Sequence, residues 1–182
     1  MKTTLALVLA ALFATSAAHA TEATEANEAT PLTSFFSSLE GSWQATGLIH
    51  LLDANGNDQA IKYASEIRVE HTSQFDDDTV WAITNQITSD NGTTSQNNDS
   101  YIVRGKQLFV SAAGQLEPVQ VTESSPFSLT YKMQRADVLT GRVYNFSFHT
   151  ELKFPGGTLE GHNTVETNGV TITDETFNAK KW

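Results

Sequence analysis

From Trp43 to the end of the chain, apolar and polar residues alternate nearly one for one, and a turn signal interrupts them every dozen residues or so. A period of two belongs to strands with one face buried and one in water, whereas a helix repeats at about 3.6. The clearest run spans 61–71. Ile61, Tyr63, Ser65, Ile67, Val69 and His71 share one face, and Lys62, Ala64, Glu66, Arg68 and Glu70 share the other. Phe127, Leu129, Tyr131 and Met133 alternate with Ser128, Thr130, Lys132 and Gln134. Tyr144, Phe146, Phe148, Leu152 and Phe154 do the same against Asn145, Ser147, His149, Glu151 and Lys153. Further strands are expected near 43–52, 79–88, 99–104, 107–112, 116–123, 158–167 and 170–178.

The connections suit hairpins: Asn55-Gly56, Asn91-Gly92, Gly105, Gly114, Gly141, Pro155-Gly156-Gly157 and Asn168-Gly169. Ten strands joined by short turns make an antiparallel meander. Its free edges invite aggregation, and closing the sheet removes them. The expected fold class is therefore all-β, an antiparallel up-and-down barrel of about ten strands, with a two-sheet sandwich as the alternative. Asn168-Gly169, a two-residue type I′ signal, sets the last register. It pairs Thr167 with Val170, Val165 with Ile172, and Asn163 with Asp174. Val165 and Ile172 then face the core, while His162 and Glu175 face solvent.

Ahead of the strands, Thr30-Pro31 reads as an N-cap followed by proline at the first helical position. Leu32, Phe35, Phe36 and Leu39 fall at i, i+3, i+4 and i+7, one apolar stripe that Gly41 ends. Residues 1–20 have the layout of a secretory signal: Lys2, the apolar run Leu5–Phe13, and Ala18-His19-Ala20 as a small-x-small cleavage site. A periplasmic or secreted protein, cut after Ala20, is the expectation. Residues 21–30 repeat an acidic triplet and read as a flexible linker. That leaves 31–182 as one domain, large enough to bury roughly 70% of its unfolded surface.

Composition narrows the chemistry. The chain has no cysteine, which excludes disulfides, thiolate nucleophiles and Cys-ligated metal clusters. Twenty-one acidic residues against eleven basic give a net charge of -10, a field that repels nucleic-acid phosphates and anionic membranes. No nucleic-acid partner and no membrane span are expected. There is no G-x-S-x-G, H-E-x-x-H, P-loop or dinucleotide fingerprint. Asp53-Ala-Asn55-Gly-Asn57-Asp58 begins like a calcium loop but has Asp58 and Ala64 where the loop needs Gly and Glu. It reads as a polar hairpin turn, and Asp76-Asp77-Asp78 as a solvated loop tip. His149 with Glu151, and His162 opposite Glu175, read as outward pairs. No metal, cofactor or catalytic constellation is expected.

Leu39-Glu-Gly41-Ser-Trp43, between a short helix and the first strand, resembles the G-x-W motif of the lipocalin and calycin superfamily. The resemblance covers residues 31–182 in layout and extends to lipocalin-like domains of bacterial exported proteins. It implies that Trp43 closes the barrel base, with a late basic residue across it: Lys180, Lys181 or Arg142. The second lipocalin motif is missing, since Thr173-Asp174 continues as Glu-Thr-Phe and falls in the last strand. The layout also resembles haem barrels of the nitrobindin type, whose axial His lies in the closing strand. Here the last His, His162, comes one strand earlier.

If the alternation holds, Tyr63, Ser65, His71, Asn85, Tyr131, Asn163 and Asp174 point inward among Ile67, Val69, Trp81, Ile83, Leu129, Met133, Val165 and Ile172. Such polar groups either satisfy one another, as Asn163 beside Asp174 would, or line a cavity with a few convergent polar groups. The leading expectation is a non-enzymatic barrel that binds a small hydrophobic or amphipathic ligand inside, through Tyr63, Trp81, Asn85, Tyr131, Asn163 and Asp174. The alternative is a solid barrel whose acidic surface meets a protein partner. An enzyme such as an isomerase or hydrolase ranks third.

Overall fold

A computed structural model describes residues 29–53, 56–75, 78–112, 115–137, 139–153 and 157–182. The signal segment, most of the linker, Asn55 of the polar turn, Asp76, Asp77 and Phe154 lie outside the described residues. Helix α1 (Pro31–Leu39) precedes ten strands. These are β1 (Gly41–Leu52), β2 (Asp58–Phe75), β3 (Asp78–Ser89), β4 (Thr94–Arg104) and β5 (Gln107–Ala112), then β6 (Gln115–Ser125), β7 (Ser128–Ala136), β8 (Val143–Lys153), β9 (Thr158–Thr167) and β10 (Val170–Lys181). Each pairs antiparallel with its chain neighbours, and β1 pairs with β10 to close the barrel. The fold is thus an all-β, ten-stranded antiparallel barrel with one short N-terminal helix.

The helix forms where its cap and stripe require. Thr30 Oγ1 accepts the Thr33 N–H at 3.2 Å, satisfying one of the donors that a helix start leaves free. Leu32, Phe35, Phe36 and Leu39 are all buried, so α1 plugs one end of the barrel. Gly41 lets the chain leave the helix at φ +122°, which side chains rarely adopt, and a Cβ there would stand 2.9 Å from Lys181 Cε.

Below the plug the core is dense. Trp43 is 1% exposed, and its indole N–H donates to the Leu39 carbonyl at 2.7 Å. Lys181 places its ammonium 5.3 Å from the Trp43 ring centroid, so the late basic residue over this tryptophan is Lys181. Trp81 stacks on Phe36 at 5.2 Å and donates to Glu40 Oε1 at 3.1 Å. Val69, Val103, Leu108, Leu129, Leu152, Leu159 and Ala179 complete this layer. Phe127, expected at the start of a strand's inner face, sits in the turn before β7 and is 48% exposed.

One register departs from expectation. Val170 pairs with Thr167, but the ladder shifts between Thr171 and Thr173, so Ile172 is an extra residue. Thr173 then pairs with Val165 and Glu175 with Asn163. Beyond the bulge the faces exchange: Glu175 turns inward and Asp174 outward, the reverse of the turn-based register. The physical reason is burial further along β10. The shifted phase puts Phe177 and Ala179 inside and leaves Asn178 and Lys180 in water.

Replacing Trp43 by alanine empties a buried aromatic site and orphans the Leu39 carbonyl. The expected loss is about 3–5 kcal/mol in chemical denaturation. A loss below about 1 kcal/mol would mean that the plugged end does not depend on this ring.

Candidate functional site

The end opposite α1 is the mouth, where the turns after β1, β3, β5, β7 and β9 lie. Inward residues there keep contact with water: Leu51, Ile87, Asn97, Met133, Phe146 and Val165 are only half-buried. Arg135 shares the inner face with Tyr131 and Met133, and Glu117 shares it with Val119; their side chains retain 25% and 24% of their surface. The mouth half of the lumen forms a cup that is packed less closely than the layer around Trp43 and Trp81.

Two glycines shape its wall. Gly47 on β1 lies between Tyr63 of β2 and Phe177 of β10 in the ladder. A Cβ at Gly47 would fall 2.3 Å from the Tyr63 ring, so the ring lies flat over β1. That lets the Tyr63 hydroxyl cross a strand and donate to Glu175 Oε1 at 2.5 Å. Phe177 covers Gly161 in the same manner, 2.1 Å from a Cβ there. Asn163 Nδ2 donates to Glu175 Oε2 at 2.8 Å, so Tyr63, Glu175 and Asn163 form one satisfied triad. Burial, followed by the Glu175 charge and hydrogen bond, raises the Tyr63 pKa far above the usual phenol value and keeps the group a donor.

On the opposite wall Tyr101 and Tyr131 share a hydrogen bond of 3.0 Å. Tyr131 stacks on Phe148 at 4.7 Å, and these rings form the floor of the cup. Burial pushes the Tyr101 hydroxyl up to about 12, offset in part by its bond to Tyr131. Burial likewise raises Tyr131. Above them, Arg135 Nε donates to Glu117 Oε2 at 2.9 Å. Asp99 lies nearby and is pulled two ways: burial raises its pKa, and the Arg135 charge lowers it less. One donor is left over. Arg135 Nη2 is buried and has no partner, the only such side-chain atom among the described residues.

The sequence-derived residues distribute as follows. Tyr63, Asn85, Tyr131 and Asn163 face inward, but in separate pairs: Asn85 accepts from Ser65, and only Tyr63 and Asn163 meet through a shared partner. Trp81 is inside but at the plugged end, under Phe36, far from the mouth. Asp174 is on the outer face, where its Oδ1 lies 2.9 Å from His162 Nε2. Asn163 therefore bonds Glu175 rather than Asp174. Glu175, expected on the outer face opposite His162, faces inward instead, and Asp99, Tyr101, Glu117 and Arg135 carry no expectation from the sequence. Parity carried a signal for two of them: Arg135 continues the Leu129-Tyr131-Met133 face, one residue past the strand's expected end, and Glu117 precedes Val119 and Val121 on theirs.

Among the described residues, two concavities lie outside the lumen. One, of about 540 Å³, runs beside α1 between Thr33, Glu40, His71 and Trp81. The other, of about 240 Å³, lies on the outer sheet around His149 and His162. No protein-family model matches the chain, and no curated protein matches it in sequence.

Asp99 supplies a pH test. Its proton is held to higher pH in the folded state than in the unfolded chain. Its stabilising contribution is thus complete in acid and is lost as pH rises through the folded pKa. Asp99→Asn should raise the denaturation midpoint at pH 7 relative to the parent protein, and the gap should close below the ordinary carboxylate range. An Asn variant that is less stable at pH 7 would mean that attraction to Arg135 outweighs burial.

Proposed function

We propose that this protein is a non-enzymatic, exported binding barrel that holds a small amphipathic ligand in the mouth half of its lumen. The observation that carries the reading is the unpartnered, buried Nη2 of Arg135 inside the cup. An orphaned buried donor costs roughly 1–3 kcal/mol, and a ligand oxygen would remove that cost. Asp99, Glu117 and Glu175 outnumber Arg135 on the cup's wall, so an anionic head would be repelled. The head that fits is a neutral oxygen acceptor, such as the carbonyl of a quinone, ester or amide. Phe146, Phe148, Met133 and Val165 offer the body of the ligand an apolar wall. Leu116, Leu139, Val143 and Val170 are exposed near the rim, a surface suited to an apolar tail on its way in.

Ten strands favour the same reading. Eight enclose an interior that side chains just fill, and the diameter grows with strand number. Here aromatic rings take up the lower half, which confines a ligand to the upper half. We also read the chain as lipocalin-like, on Gly41-Ser-Trp43 at the head of β1, α1 across the base and Lys181 over the Trp43 ring. The signal-like segment at 1–20 supports export. A second reading, a solid barrel that docks a protein partner, draws on the position of these two concavities outside the lumen.

Isothermal titration with decylubiquinone, decanoate and decylamine separates these. The expected result is saturable binding of about one decylubiquinone per chain, with decanoate weaker. Arg135→Leu should weaken it roughly tenfold or more, the worth of a hydrogen bond to a charged donor. Met133→Trp, which fills the cup without touching the charges, should abolish it. Tightest binding of decylamine would assign the site to the acids instead. Binding of none of the three would leave the protein-docking reading in place.

A further inference from the structure

The outer sheet carries a feature that the lumen does not use. His149 of β8 and His162 of β9 stand directly opposite each other in the ladder. Directly opposed residues have Cβ atoms about 4.5–5.5 Å apart, close enough for two imidazoles to reach one ion. Each ring is fixed by a hydrogen bond from a different flanking strand. His149 Nδ1 lies 2.8 Å from the Thr130 hydroxyl of β7, and His162 Nε2 lies 2.9 Å from Asp174 Oδ1 of β10. His149 Nε2 and His162 Nδ1 are left with no partner among the described residues.

That arrangement is the one metal-ligating histidines adopt: one ring nitrogen held by an oxygen and the other turned away from it; the hydrogen bonds orient both rings, and the Asp174 carboxylate also sets the tautomer of His162. The two rings also line the 240 Å³ concavity, with Thr176 and Asn178 at its side, so an ion and its waters have room. Glu151 and Glu160 sit opposite each other one step along the same face. Lys153 engages both, at 2.7 and 3.6 Å, so they contribute negative field rather than ligands. No group of three or more His, Asp or Glu among the described residues is placed to hold a metal ion, so an ion here would take two imidazole nitrogens and complete its shell with water.

We propose that His149 and His162 form an open two-imidazole site for a late first-row divalent cation of the copper, nickel and zinc group. Imidazole selects those ions, whereas calcium and magnesium require oxygen cages that this face lacks. The bulge at Ile172 is part of the device. By turning Asp174 outward it supplies the carboxylate that orients His162.

The probe is Cu(II), which binds nitrogen sites most strongly in that series. Titration of the full chain, followed by electron paramagnetic resonance, should show one equivalent bound with splitting from two nitrogens. His149→Gln and His162→Gln should each weaken uptake severely, and the double variant should abolish it. Asp174→Asn leaves both ligands in place and should weaken uptake by roughly tenfold through loss of orientation. His71→Gln, at the histidine of β2 that packs beside Trp81, should change nothing. Circular dichroism of the variants checks that the barrel is intact. No saturable uptake, uptake that survives the double variant, or uptake lost in His71→Gln would overturn the proposal.

Discussion

Closure of β1 on β10 is the constraint from which the other features follow. It satisfies the backbone groups of the two strands that would otherwise be edges. It also divides every side chain into inside or outside, with no third choice. Once the ring is shut, a ten-stranded lumen needs more than aliphatic side chains to fill it. The protein meets this at one end only, with α1 and a layer of Trp43, Trp81, Phe35 and Phe36, each 1% exposed. The other end is less closely packed, and there the inward face carries charge.

Polar groups inside the barrel are tolerated because most are answered across the lumen wall. Tyr63 reaches Glu175 only because Gly47 has no side chain in between. Glu175 faces inward only because Ile172 bulges. Arg135 is the exception, with one donor paired to Glu117 and another left buried and unanswered. The same bulge acts on both surfaces: it places Glu175 under Tyr63 inside and Asp174 beside His162 outside.

The alternation made the strands and the helix legible, because period-two and 3.6-residue patterns report directly which face is buried. The Trp43 and Lys181 contact was legible in outline as well. The last hairpin departs from the register its turn implies, because burial further along β10 sets the phase of that strand. The correction was present further on, where Phe177 and Ala179 stand in the opposite phase to Ile172. A change of phase within one strand is the mark of a bulge. The cup was harder to see. Asp99, Glu117 and Arg135 come from three strands, and a charged residue at an inward position looks in sequence like an outward one. Their proximity depends on the barrel's stagger, which local pattern does not encode.

The proposed ligand site requires a lumen that is open at the Arg135 end and solid at the other. The absence of cysteine makes it directly measurable, since each variant carries a single thiol. Tyr131→Cys, Met133→Cys and Arg135→Cys mark three depths on one inner face of β7, with Gln134→Cys as the outward control. Reaction with a small methanethiosulfonate should be fast at 134, slower at 135, slower again at 133 and negligible at 131. A bulky maleimide should reach 134 alone. Equal reactivity at 131 and 135, or protection of 135 from both reagents, would contradict a barrel that is plugged at one end and open at the other.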